Sequence, residues 1–303
     1  MAKDATPAKL AELHALAQLP RSAGDAGVLR RSLRDRSNSV VAKAAALVPL
    51  LGAAGLMPDP MPDLVPDLVA AFERLIRDGA KNDPQCTGKI ALLKALRDLD
   101  CAEAPIFFRA ARHVQWEPIW GGRVDTGVDV RAVAGHALTG CATAAIQDIY
   151  LTLVDLMADP EARVRAEAAL AVGRFEHSQS ELLLRLKIRS GDQAVEVMGA
   201  CFDALLQAAA AAAVEFVASY LADEDEALAF EAASALGASR LAEAFDLLLA
   251  RIEDIDPRAE MLVRALVPKR GYPELRARIA AAVELHGGGA VRKAFAREFP
   301  SLE

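Results

Sequence analysis

Asp159-Pro160-Glu161-Ala162-Arg163-Val164-Arg165-Ala166-Glu167-Ala168-Ala169-Leu170-Ala171-Val172-Gly173 reads as one capped, alanine-rich helix. With Val164 as anchor, the residues four, five and eight positions later (Ala168, Ala169, Val172) fall on the same helical face. Small side chains on that face let a second helix approach closely. An aspartate ahead of the helix can accept from its free N–H groups and meets the positive end of the dipole. Gly173 is expected to stop the helix.

The pattern recurs along the chain, with anchors at Val40, Ile90, Val130, Val195, Leu228 and Met261. From Val130 onward the intervals are 34, 31, 33 and 33 residues, and before it they are 50 and 40. Aspartate stands five residues before the anchor at Asp35, Asp125, Asp159, Asp223 and Asp256, with Gln85 and Ser190 as exceptions. Gly237 is expected to end its helix as Gly173 does. An amphipathic stretch precedes each anchored helix: Ala8–Leu19, Leu64–Ile76, Ala104–His113, Ala144–Met157, Glu181–Ile188, Val214–Leu221 and Ala242–Ile252. The unit is therefore helix, turn, helix. One such pair cannot bury its apolar face alone but a row can, so the expectation is a single all-α solenoid domain of about seven to eight repeats. Residues 1–130 carry longer, irregular repeats, residues 131–270 regular ones and residues 271–303 a terminal cap.

The Asp-Pro-x-x-x-Val-Arg-x-x-Ala-Ala-x-Ala-Leu/Val-Gly run at Asp159–Gly173 resembles the HEAT-like repeat, particularly its short bacterial form. The resemblance extends from about Ala8 to about Phe299. It implies a right-handed superhelix whose second helices line the concave side. It also implies Asp–Arg ladders between repeats, for which Asp125/Arg131 and Asp159/Arg165 supply the residues.

Composition agrees with a helical chain. Of 303 residues, 53% are apolar and only 5% aromatic, which disfavours both an all-β fold and disorder. The net charge of −7 offers no basic surplus for a phosphate backbone, so nucleic acid is disfavoured as a partner. Arg30, Arg31, Arg34 and Arg36 form the one basic cluster, read as a solvated turn between helices. The longest uncharged stretch, Ala132–Gln147, is short of a membrane span, and the N-terminus lacks an apolar signal segment, so the expected location is the cytoplasm. Cys86, Cys101, Cys141 and Cys201 have no CxxC spacing; the last three sit in apolar stretches, as buried structural thiols do. No metal or cofactor is implied.

The repeat is interrupted once, by His113-Val114-Gln115-Trp116-Glu117-Pro118-Ile119-Trp120-Gly121-Gly122-Arg123-Val124-Asp125-Thr126. Pro118 and the Gly121-Gly122 pair exclude a regular helix, so residues 114–127 read as an inserted loop holding both tryptophans. The insertion is similar to one in uncharacterised bacterial HEAT-repeat proteins. It either folds back between adjacent repeats or presents His113, Trp116, Glu117, Trp120, Arg123 and Asp125 to a partner. His113, Glu117 and Asp125 make an acid–base or metal cluster only if the loop folds tightly, and their spacing does not ask for one. His136 is expected to be packed on its apolar helix. A second candidate surface is the row three residues after each anchor, Lys43, Leu93, Val133, Glu167, Met198, Glu231 and Arg264, whose apolar middle and charged ends either line a peptide groove or belong to the core.

No GxGxxG, P-loop, GxSxG or HExxH motif is present. The expectation is a non-catalytic scaffold for a protein or peptide, of undetermined oligomeric state. Two enzymatic alternatives come from the resemblance alone: a phycobilin-lyase-like enzyme or chaperone, and a HEAT-like DNA-base glycosylase using Trp116, Trp120 and Asp125.

Overall fold

A computed structural model describes residues 5–18, 23–53, 63–77, 79–175 and 177–300. The chain is mostly helical and divides into two compact units, residues 1–167 and 168–303. In the first unit the helices are α1 (Thr6–Gln18), α2 (Ala23–Leu33), α3 (Asn38–Ala53), α4 (Val65–Arg77), the single turn α5 (Gly79–Asn82), α6 (Thr87–Asp98), α7 (Ala104–Ala110), α8 (Val128–Leu138) and α9 (Ile146–Met157). Strands β1 (Trp116–Ile119) and β2 (Gly122–Asp125) lie between α7 and α8. Helix α10 (Ala162–Gly173) spans the division between the units. The second unit continues with α11 (Ser178–Ser190), α12 (Val195–Ala209), α13 (Val214–Ala218), α14 (Glu226–Ala238), α15 (Ala242–Glu253), α16 (Ala259–Ala265), α17 (Pro273–His286) and α18 (Gly289–Glu298).

In each unit the anchored helices stack in chain order. Helix α3 packs on α6 and α6 on α8; in the second unit α12 packs on α14, α14 on α16 and α16 on α18. The preceding helices pack against them, α4 on α6, α7 on α8 and α11 on α12. The stripes bury as the spacing predicts: Val40, Val130, Val164, Ala168, Ala169, Ala232, Ala233 and Leu236 are all inaccessible or nearly so. All four cysteines are buried and unpaired, and burial pushes the Cys141 and Cys201 thiols up to about 11 and about 12.

Several expectations change. The all-α class stands, but the insertion expected as a loop forms a small two-stranded antiparallel sheet. The arginine cluster is a solvated turn only in part: Arg34 and Arg36 lie exposed between α2 and α3, Arg30 and Arg31 lie in α2, and Arg30 and Arg34 both pair with Asp67 of α4. Leu19, the expected end of the first helix, lies outside the described residues. The stretch Val195–Ala222 is long and apolar enough to cross a membrane, yet most of it is buried, and Ala210 breaks it with φ 48° and ψ −133°.

The recurring aspartates do not cap their helices. Each accepts the N–H two residues on, at Asp35→Ser37, Asp125→Gly127, Asp159→Glu161, Asp223→Asp225 and Asp256→Arg258. This Asx turn orders the approach to the helix rather than its first turn. In α14 the cap itself is Asp225, which accepts from the Ala227 and Leu228 N–H groups. Asp192 makes the same turn with Ala194, five residues before the fully buried Val197. Val195 is therefore two residues out of register, and Val197 is the anchor. Asp83 also precedes α6, but it accepts from the Gly88 and Lys89 N–H groups five and six residues on and makes no such turn, so the exception at Gln85 stands while that at Ser190 disappears.

Gly237 does not stop its helix either, since α14 runs on to Ala238. Its role is close approach: a Cβ there would run into the backbone carbonyl of Ala265 on α16. Gly173 meets the Ala204 backbone of α12 in the same way. Gly237→Ala is expected to lower the unfolding free energy by about 1–3 kcal/mol, the usual cost of overpacking, as measured by urea denaturation.

Candidate functional site

The insertion is a β-hairpin. Its register pairs Trp116 with Asp125, Glu117 with Val124, Pro118 with Arg123 and Ile119 with Gly122, leaving Trp120-Gly121 as a two-residue turn. Gly121 takes φ +84°, the left-handed value that the second central position of a type II turn requires. An isolated two-stranded hairpin is marginal in water, so its order has to come from its base.

The base is a polar cluster sealed under the hairpin. Asp125 is buried; one oxygen accepts from the Gln115 and Gly127 N–H groups and the other from Arg131 Nη1 at 2.7 Å. Arg131, also buried, donates from the same nitrogen to the His113 carbonyl and grips Asp159 through Nε and Nη2 at 2.7 and 3.0 Å. Burial disfavours the Asp125 charge, but those hydrogen bonds outweigh it and hold its carboxyl below the ordinary carboxylate range. The same groups, after the cost of burial, raise the Arg131 guanidinium.

Beside this pair, Lys89 and Asp83 form a fully buried ion pair at 3.1 Å. Gln115 joins the two halves, donating to the Asp83 carbonyl and to Glu117 Oε1. Its own carbonyl oxygen is buried without a partner. Glu117 Oε1 also accepts from Thr126 Oγ1 and the Gln85 N–H. Those bonds overcome partial burial and depress the Glu117 carboxyl. Gln85 and Cys86 both adopt left-handed backbone, φ 59° and 54°, which is costly for side chains with a Cβ and persists only where surroundings impose it.

The cluster does contain a cysteine beside a histidine. Cys86 Sγ lies 3.9 Å from His113 Nε2 and 3.6 Å from Thr126 Oγ1. Burial raises the thiol, and burial together with the Lys89 charge lowers the imidazole. Both groups are thus held neutral, the opposite of the thiolate–imidazolium pair a nucleophile needs. His113, Glu117 and Asp125 belong to one network but meet different partners, Cys86, Thr126 with Gln115, and Arg131, and no group of three or more His, Cys, Asp or Glu placed to hold a metal exists among the described residues. Asp125 is unavailable to a ligand beside the indoles.

The apolar residues face outward instead. Trp120 is 101% exposed, Trp116 57%, Ile119 56% and Val124 42%. Arg123 is exposed as well. The tryptophans therefore do not plug a gap between helices; the polar residues of the insertion do the docking.

The helix row is less uniform than its spacing suggests. Lys43, Glu167 and Glu231 are half-buried and Arg264 is exposed. Met198 is buried at 3%, because the two-residue slip at Val195 moves it off the row. His136 is not packed apolarly but meets Glu167 at 2.6 Å. Burial and the charges of Asp203 and Glu196 raise the Glu231 carboxyl. These row residues lie on separate helices, α3, α10, α12, α14 and α16. Residues that the sequence reading missed are Asp83, Cys86, Lys89, Gln115 and Thr126. The signal for the first pair was present, since Asp83 and Lys89 are six apart, as are Asp125 and Arg131.

No protein-family model matches the chain, and none of the curated proteins matches it.

Asp125→Asn keeps the turn acceptor but removes the charge facing Arg131. It is expected to destabilise by about 2–3 kcal/mol at pH 7, measured by urea denaturation. Because the folded carboxyl is depressed, its contribution is full above the unfolded value near pH ~4 and is lost as pH falls through the folded one. The gap between wild type and variant should therefore close on acidification, not on raising the pH.

Proposed function

We propose that the protein is a HEAT-like α-solenoid acting in the cytoplasm as a non-catalytic scaffold, with the hairpin as its main docking element for a protein partner. The observation that carries this reading is a two-stranded hairpin whose apolar side chains are turned to solvent while its carboxylates, Glu117 and Asp125, are tied into the network beneath it. Large exposed apolar clusters mark interaction sites, and tryptophan and arginine are the residues most often found at their energetic centres. A rigidly held hairpin lowers the ordering cost of binding. Stacking of anchored helices in chain order within each unit supports the repeat architecture. The aspartate turns before α3, α8, α10, α12, α14 and α16 support the resemblance to HEAT-like repeats.

The test uses the two tryptophans as both contact and reporter, since the chain has no others. A photo-cross-linking residue at Arg123 should capture a discrete partner in wild type and lose it in Trp116→Ala/Trp120→Ala. Far-UV circular dichroism and urea stability should change little, because Trp120 buries nothing. Addition of the captured partner to wild type should shift tryptophan emission to the blue. Equal capture by the double variant would remove the hairpin from the interface.

A further inference from the structure

The first unit holds a groove of about 890 Å³ between α7 and α9. One wall is a single stripe along α7 and the turn beyond it: Pro105, Phe108, Arg109 and Arg112. The other is a stripe of α9: Asp148, Leu151, Thr152 and Asp155. Both stripes follow i, i+3, i+4, i+7, the spacing by which one helix face meets another. Yet α7 and α9 are not packed closely together, whereas α15 and α17 in the second unit are. The cause is local. Helix α7 has 7 residues against 12 in α9, because the chain turns at Ala111 to enter the hairpin. About 8 Å of helix is missing from that layer.

The exposed side chains also carry a charge pattern. Arg109 is tied to Glu73 of α4, but Arg112 on the same wall and Asp148 and Asp155 on the other have no ionic partner among the described residues. Leu151 on the α9 wall and Val114 beyond α7 are exposed, and Ile76 of α4 and His113 complete the lining. The groove therefore combines apolar side chains with an arginine on the α7 side and two aspartates on the α9 side.

We infer that this groove binds one amphipathic helix of a partner protein, with apolar anchors at helical spacing, basic residues along the edge facing Asp148 and Asp155, and an acidic residue facing Arg112. The inference rests on the scaffold reading in taking the ligand to be a protein, but it uses a surface other than the exposed face of the hairpin. Two helical faces held apart supply the shape, and the oppositely charged rims fix which way round the helix lies.

A displayed library of helical peptides of about 16 residues, with leucines fixed at i, i+3, i+4 and i+7 and all other positions randomised, supplies the probe. Selection uses the full wild-type chain with no Leu151 variant present, so that dependence on Leu151 is read only afterwards. Peptides that bind should carry Lys or Arg on one edge and Asp or Glu on the other. Leu151→Glu should weaken them by about tenfold or more in fluorescence anisotropy, with an unchanged circular dichroism spectrum, since Leu151 is already exposed. Selection on Asp148→Lys/Asp155→Lys should return peptides with acidic residues on the edge that was basic. Trp116→Ala/Trp120→Ala should bind the selected peptides as wild type does, which separates failure here from failure of the hairpin reading. Binders indifferent to Leu151→Glu, no binders at all, or peptides whose charges do not invert on the Asp-to-Lys protein would each overturn the proposal.

Discussion

The guanidinium of Arg131 holds the first unit to its insertion. It bonds Asp125 at the end of the hairpin and Asp159 at the start of the next repeat, and it supports the His113 carbonyl where the insertion begins. A planar fork with five donors can satisfy all three at once; an ammonium could not. Because the group is buried, its partners are obligatory: leaving any charge unmatched there costs far more than the pair gains over an apolar substitute. The pair thus specifies where the chain leaves and re-enters the helical stack. Lys89 takes the equivalent place one repeat earlier, but its point charge reaches only Asp83, and the neighbouring demands fall to Gln115.

Much of the helical architecture can be read from residue spacing, for a physical reason. A stripe of small side chains at helical period buries against one neighbour only, so periodicity and packing coincide at Val164, Ala168, Ala169 and Val172. Register is harder to read, because apolar residues are dense. In Val195-Glu196-Val197-Met198 either valine can serve as anchor on hydrophobicity alone, and only the Asx turn at Asp192 selects Val197. The aspartate is the sharper marker, since its geometry tolerates no shift whereas an apolar face tolerates several.

The hairpin was hidden for the opposite reason. Its strands are four residues each, one interrupted by Pro118, and its outward face has no regular alternation. What stabilises it is side-chain chemistry from distant positions: Asp83, Gln85 and Lys89 on one side, Arg131 and Asp159 on the other. No local pattern encodes that. The same applies to the strained pair Gln85 and Cys86, which adopt left-handed backbone because Asp83 must bridge to the Gly88 and Lys89 N–H groups.

Hairpin and groove have one origin. Diverting the chain at Ala111 shortens α7, and the shortened helix leaves α9 with an unmatched face. The diverted residues then return as an outward apolar element. A protein whose only need was stability would fill the gap by extending α7 and would not expose two indoles. Short strands, a proline in β1 and an arginine in β2 are features that keep an exposed edge from pairing indiscriminately. Their presence beside Trp116 and Trp120 separates a surface guarded against nonspecific association from one that is merely unburied. An aromatic patch ordered from below by buried charge, with a proline and an arginine at its edges, fits the proposed docking role and disfavours edge-to-edge pairing of two hairpins.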